Sequence, residues 1–143
     1  MSMNEKSTNP FDYIETEQDI PFLVDFIMRE TASEGTDDPF WSKSEFGLLA
    51  AVIAKQYASF PKEEQTLNKT RELLKGDLDA LFKKSDPGSM TEMNYRYFSV
   101  APGTTRQGII VNVLNRLSKF DEEKVRDWAQ ARQSYKDRRY ILF

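Results

Sequence analysis

The stretch Asp38-Pro39-Phe40-Trp41-Ser42-Lys43-Ser44-Glu45, running on into Phe46, Leu48, Leu49, Val52, Ile53 and Tyr57, decides what this chain can fold into. Asp38 suits a helix N-cap, and Pro39 suits the first helical position, where its missing N–H costs no hydrogen bond. The apolar residues that follow fall on more than one face, so this helix belongs at the centre, covered on several sides. Pro61 ends it or opens the next element. Glu45 lies one turn after Trp41 amid apolar neighbours, and a carboxylate partly buried there needs a partner. Lys43 is wrongly spaced for that role; Arg96, Arg106 and Arg116 are the cations that can reach it across helices.

Helical spacing continues on both sides. Upstream, Thr16 reads as an N-cap with Glu17 and Asp19 in the first turn, and Phe22, Leu23, Phe26 and Ile27 form one face. Residues 31–37, with Gly35, read as the connecting loop. Downstream, residues 62–74 read as a third helix, with Leu67, Leu73 and Leu74 inward and Gly76 as C-cap. Leu78, Leu81 and Phe82 mark a short fourth helix, and Ser85-Asp86-Pro87-Gly88 is a turn. Ser89-Met90-Thr91-Glu92 matches a capping box that opens a helix carrying Met93, Tyr97 and Phe98 and stops at Pro102-Gly103. Thr104-Thr105-Arg106-Gln107 then caps a helix with the stripe Ile109, Ile110, Val113, Leu114 and Leu117, and Phe120 packs back. Residues 122 to about 135 form a last helix with Val125 and Trp128. The closing Tyr140-Ile141-Leu142-Phe143 is apolar and β-prone. The expected fold is all-α, a compact bundle of about six or seven helices, with Trp41, Phe11, Tyr13, Phe40, Tyr95, Tyr97 and Phe98 in its core.

The 143 residues make one domain, with 39% hydrophobic and 13% aromatic residues to fill a single core. There is no cysteine, hence no disulfide, thiol nucleophile or Cys metal site, and no histidine, which removes the commonest general base and most zinc sites. Only carboxylate, lysine or tyrosine chemistry remains, so no catalytic, cofactor or metal residue is assigned and an enzyme is disfavoured. A Gly-x-x-x-x-Gly-Lys-Ser/Thr phosphate loop is missing. Gly103-Thr104-Thr105-Arg106 at a helix start is the one anion-site candidate, and with one glycine and no lysine it reads more simply as a helix cap.

Charge is unevenly distributed. Residues 1–65 hold 13 Asp+Glu against 5 Lys+Arg, whereas residues 66–143 hold 10 against 15, so the halves present opposite signs to a partner if they segregate in space. Glu30, Glu34, Asp37 and Asp38, around the end of the first helix and the loop after it, are the candidate protein-binding residues, able to steer a basic partner. Arg106, Arg116 and Lys119 are the candidate DNA-binding residues. The basic residues beyond them are diluted by Asp121, Glu122, Glu123, Asp127 and Asp137, and phosphate binding needs a contiguous positive surface.

Three stretches carry a family likeness: Asn9-Pro10-Phe11-Asp12-Tyr13-Ile14; the Asp38 to Glu45 stretch above; and Tyr95-Arg96-Tyr97-Phe98 followed by Gly103-Thr104-Thr105-Arg106-Gln107-Gly108-Ile109-Ile110. In that order and spacing they resemble the all-α domain of the type IV coupling proteins, the TraG-type ATPases of bacterial conjugation and type IV secretion, from about residue 9 to residue 120. The resemblance implies an insertion domain excised from a RecA-like motor: the chain leaves the motor sheet, makes a bundle and returns, with both ends on the same side. Residues 1–8 would then be a flexible lead including an expression scar, 9–121 the all-α domain, and 122–143 a C-terminal helix and the segment returning to the motor domain, starting its strand at Tyr140. The implied role is non-enzymatic: recognition of cargo for DNA transfer, by docking a relaxase or relaxosome accessory protein. The domain would face the cytoplasm without touching the membrane, and stay monomeric in isolation. The alternatives are a DNA-contacting module of the same machine and an unrelated stand-alone helical regulator.

Overall fold

The computed structural model describes residues 7–32, 39–83, 85–86 and 88–142. Its axis is the helix that Pro39 opens, α2 (Pro39–Ser59). Seven consecutive residues of it, 48–54, are at most 3% exposed. A helix buried all the way round needs neighbours on every side, and four supply them: α1 (Asp19–Glu30), α3 (Leu67–Lys75), α5 (Met90–Ser99) and α6 (Gly103–Lys119). The short α4 (Leu78–Phe82) joins α3 to α5. Across α1 and a 3-10 turn at Pro10–Tyr13 lies α7 (Glu122–Leu142). The described residues are all-α, with seven α-helices and no strand, as the periodicity predicts.

Closeness between α2 and α5 rests on Gly47. A Cβ there would stand 2.4 Å from the Asn94 carbonyl oxygen and 3.5 Å from the Tyr97 Cβ, so the helices meet backbone to backbone. At the α6 contact a Cβ on Gly108 would come within 2.9 Å of the Trp41 ring. Trp41 packs half-buried against the core, while Phe11, Tyr13 and Phe98 are buried and Tyr95 is half-buried. Tyr97, expected inside, is instead 56% exposed, beside Met93 at 54%. The inner face of α5 is set by Thr91 and Phe98, seven residues apart, with Tyr95 between them. At 100° per residue that leaves positions 93, 97 and 100 on the opposite side. The Phe40 side chain lies outside the described part.

Several boundaries differ from the sequence pattern for identifiable reasons. Thr16 does not cap α1 with its hydroxyl; Asp19, the first helical residue, reaches back so that its carboxylate accepts from the N–H groups of Glu15 and Thr16 at 2.8 and 3.2 Å. The expected helix over 62–74 is two pieces, a 3-10 turn at Lys62–Glu64 and α3, whose cap Thr66 accepts from the Lys69 N–H at 3.1 Å. Gln56 holds that break. Fully buried, its amide nitrogen donates to the carbonyls of Glu64 and Thr66, and its amide oxygen accepts from the Thr70 hydroxyl at 2.6 Å. Ser89 caps α5 as expected, but Glu92 reaches past it to the Gly88 N–H at 3.0 Å. No side chain caps α6, which starts directly after Pro102 and takes Thr104-Thr105-Arg106-Gln107 into its first turns. Finally, Tyr140, Ile141 and Leu142 continue α7 as helix, and the β-prone reading of that stretch is wrong. A strand there would have no partner among the described residues, whereas a helix satisfies the backbone by itself.

Candidate interaction site

The buried carboxylate that the sequence marks out at Glu45 has its cation. Arg116 donates from Nε to Glu45, and from Nη1 to the Met28 carbonyl at 2.9 Å and the Thr31 hydroxyl at 3.3 Å. The side chains are only 16% and 5% exposed. One guanidinium thus ties α6 to α2 and to the end of α1. Of the other two cations in reach, Arg96 pairs with Glu92 and Arg106 with Asp79.

Arg106 is likewise committed. It donates to Asp79 at 2.8 Å and to the Tyr95 hydroxyl at 3.1 Å, with its guanidinium carbon 4.8 Å from the Phe98 ring centre, while Tyr95 donates to Asp79 at 2.8 Å. The three residues pin α4, α5 and α6 together. Burial pushes the Tyr95 hydroxyl up to about 12, and the hydrogen bond to Asp79 adds to that rise. Hydrogen bonds from Arg106 and then Tyr95 hold Asp79 below the ordinary carboxylate range. Gly103 and Arg106 also line a groove of about 220 Å³ that contains Asp77 and Asp79. An anion at the α6 N-terminus would meet two carboxylates there, which opposes the binding that the free N–H groups favour.

Among the three DNA candidates, then, Lys119 alone is exposed, at the C-terminal end of α6. A cation there is favoured by the helix dipole without any ligand. Of the four acidic candidates, Glu30 is exposed on the last turn of α1, and Glu34, Asp37 and Asp38 lie outside the described residues. The structure therefore brings neither trio nor quartet together as one patch of described side chains.

Two features escape a reading of the sequence. Arg132 of α7 is buried and ion-paired with Glu15 and, at 3.4 Å, with Asp19, more than a hundred residues away. Nothing in its charged neighbourhood distinguishes it from its exposed neighbours. Beside it the ring of Tyr13 meets Trp128 edge-on, centroids 6.0 Å apart at 83°. The second feature is a run of large apolar side chains on the outside of α5: Met93, Tyr97 and Val100, the last 77% exposed. Helical spacing alone identifies the stripe, but which of two stripes faces in depends on what α2 offers.

Among the described residues no group of three or more acidic side chains is placed to hold a metal, and no helix is long and apolar enough to cross a membrane. No curated protein and no solved structure matches the chain. The family described as type IV secretory system, conjugative DNA transfer, does match, over residues 1–133. That span takes in six of the seven helices whole and about half of α7. The match covers most of the chain, and this all-helical protein belongs to the conjugative DNA transfer family of type IV secretory systems.

Proposed function

We propose that the chain is a cargo-recognition unit of a conjugative coupling protein, which docks a relaxase or a relaxosome accessory protein so that its DNA can be transferred. In this reading the bundle is inserted in a RecA-like motor, faces the cytoplasm and is monomeric on its own. The observation that favours a protein over DNA as the partner is that Arg116 is paired inside the protein and Arg106 is already paired with Asp79 at the surface. Phosphate binding draws on contiguous free cations, and these two are spent on Asp79 and Glu45. The acidic residues near the end of α1 then serve to steer a basic partner by long-range attraction.

Binding of the purified chain to the relaxase of its own element, and separately to labelled DNA, each at low and at physiological salt, tests this. Relaxase binding should persist at physiological salt. Reversal of Glu30, Glu34, Asp37 and Asp38 to lysine should slow association roughly tenfold, on the scale of electrostatic steering. Salt-sensitive DNA binding without relaxase binding would overturn the reading and make the DNA-contacting module the better one.

A further inference from the structure

We infer that the outer stripe of α5, Met93, Tyr97 and Val100, is the anchoring surface for an amphipathic helix of the protein partner, apolar on one face and carrying carboxylates along one edge. This rests on the protein-docking reading above and names where the contact is made.

The geometry comes first. Positions 93, 97 and 100 are spaced i, i+4 and i+7, and Val100 keeps right-handed helical angles as the C-cap, so the three side chains form one continuous row. They are 54%, 56% and 77% exposed, and they make up three of the five large hydrophobics that stand out from the described surface. The row is not a displaced core face. The opposite side of α5 already buries Thr91 and Phe98, and Tyr95 stacks on Phe82 at 4.1 Å between ring centres.

Size and charge then select the occupant. Three partly exposed side chains cover a few hundred Å², on the order of half of the ~800 Å² that each partner buries in a stable complex. That is too little for a lasting dimer through this face and suits one helix laid along it, read through anchors at helical spacing. Tyrosine and methionine are the side chains that such anchoring surfaces favour. Along the row, Arg96 is exposed and carries its own counter-ion, Glu92. Lys43 is exposed too. It lies one turn before Gly47, whose Cβ position is 3.5 Å from the Tyr97 Cβ, so an exposed lysine stands one turn along the α2 face that borders the stripe. A partner helix with carboxylates on that edge complements it, and one with lysines there is repelled.

The test uses the full 143-residue chain and two synthetic helical peptides, identical in a leucine face and differing only in glutamates or lysines along one edge. The glutamate-edged peptide should bind at least tenfold more tightly. The pair Met93→Ser and Tyr97→Ser should weaken it at least tenfold with an unchanged thermal melt, and Lys43→Glu should reverse the edge preference. Equal affinity for both peptides, indifference to the serine pair, or no binding of either would overturn the inference. So would a dimer in sedimentation that the serine pair dissolves, because the occupant would then be a second copy. Relaxase binding separates this from the broader reading. Wild-type binding that survives the serine pair removes the α5 surface and keeps docking, whereas failure of the wild type to bind removes docking itself.

Discussion

Arg116 is where a single residue decides most. Its guanidinium satisfies the Glu45 carboxylate of α2 and, at the end of α1, the Met28 carbonyl and the Thr31 hydroxyl, in a largely buried site. Removing one member of a buried pair leaves the other charged and unpaired, which costs about 3–5 kcal/mol, far more than the net worth of the pair itself. Arg116→Ala should therefore lose about 3 kcal/mol in urea unfolding. The double change Glu45→Leu with Arg116→Met should recover most of that loss. A single-variant loss below about 1 kcal/mol would show that the site rehydrates. This pair was half legible in the sequence: a carboxylate among apolar neighbours demands a cation, and Arg116 was one of three in reach. Arg132 was not legible, because its partners Glu15 and Asp19 are set by how α7 crosses α1, and no local pattern encodes that crossing.

For the helices as elements, glycine positions set how near they come. Gly47→Ala would gain about 1 kcal/mol of helix propensity. It would also place a methyl 2.4 Å from the Asn94 carbonyl oxygen, a backbone atom that can move only if α5 moves. Overpacking of this kind costs about 1–3 kcal/mol, so the clash wins and the variant should melt at lower temperature. Gly108→Ala meets only the edge of the Trp41 ring at 2.9 Å, on a half-buried side chain that can tilt, and should be the milder of the two. Thermal melts of both variants give the order, and a more stable Gly47→Ala would mean that α5 does not sit against α2 this closely. The same scale shows why periodicity found the helices but misjudged some edges. Apolar spacing fixes which residues share a face, as with Ile109, Val113 and Leu117. The break before α3 comes instead from Gln56, a buried amide whose partners become visible only once α2 and the Lys62–Glu64 turn are in place. On α5, two apolar faces compete, and the one carrying Thr91, Tyr95 and Phe98 turns inward, with Tyr95 packed on Phe82.

Taken whole, the molecule is layered around α2, and its stability should be layered in the same way. Amides of residues 48–54 sit under α1, α3, α5 and α6 and should exchange with solvent only through global unfolding. Those of α4, five residues long, should open locally and exchange faster. Native-state hydrogen exchange reads both, and equal protection in α2 and α4 would contradict a core centred on α2. The halves of opposite charge that the sequence shows do not persist as separate bodies: Arg116 of the basic half is locked onto Glu45 of the acidic half, and Arg132 onto Glu15 and Asp19. Much of the apparent dipole is thus consumed in holding the bundle together.

That last clasp has a mechanical side. Residues 13–19 and the middle of α7 are joined by the Arg132 ion pairs and the edge-on contact of Tyr13 with Trp128, so tension that draws these two segments apart loads those contacts. The Glu15 carboxylate is 62% exposed, so its pair resists shear weakly, whereas Arg132 and Asp19 are 7% and 12% exposed and their pair is nearly closed to water. Along this pulling direction the Glu15 pair should yield first, ahead of the buried Asp19 pair and the packed rings of Tyr13 and Trp128, so the clasp gives way in steps.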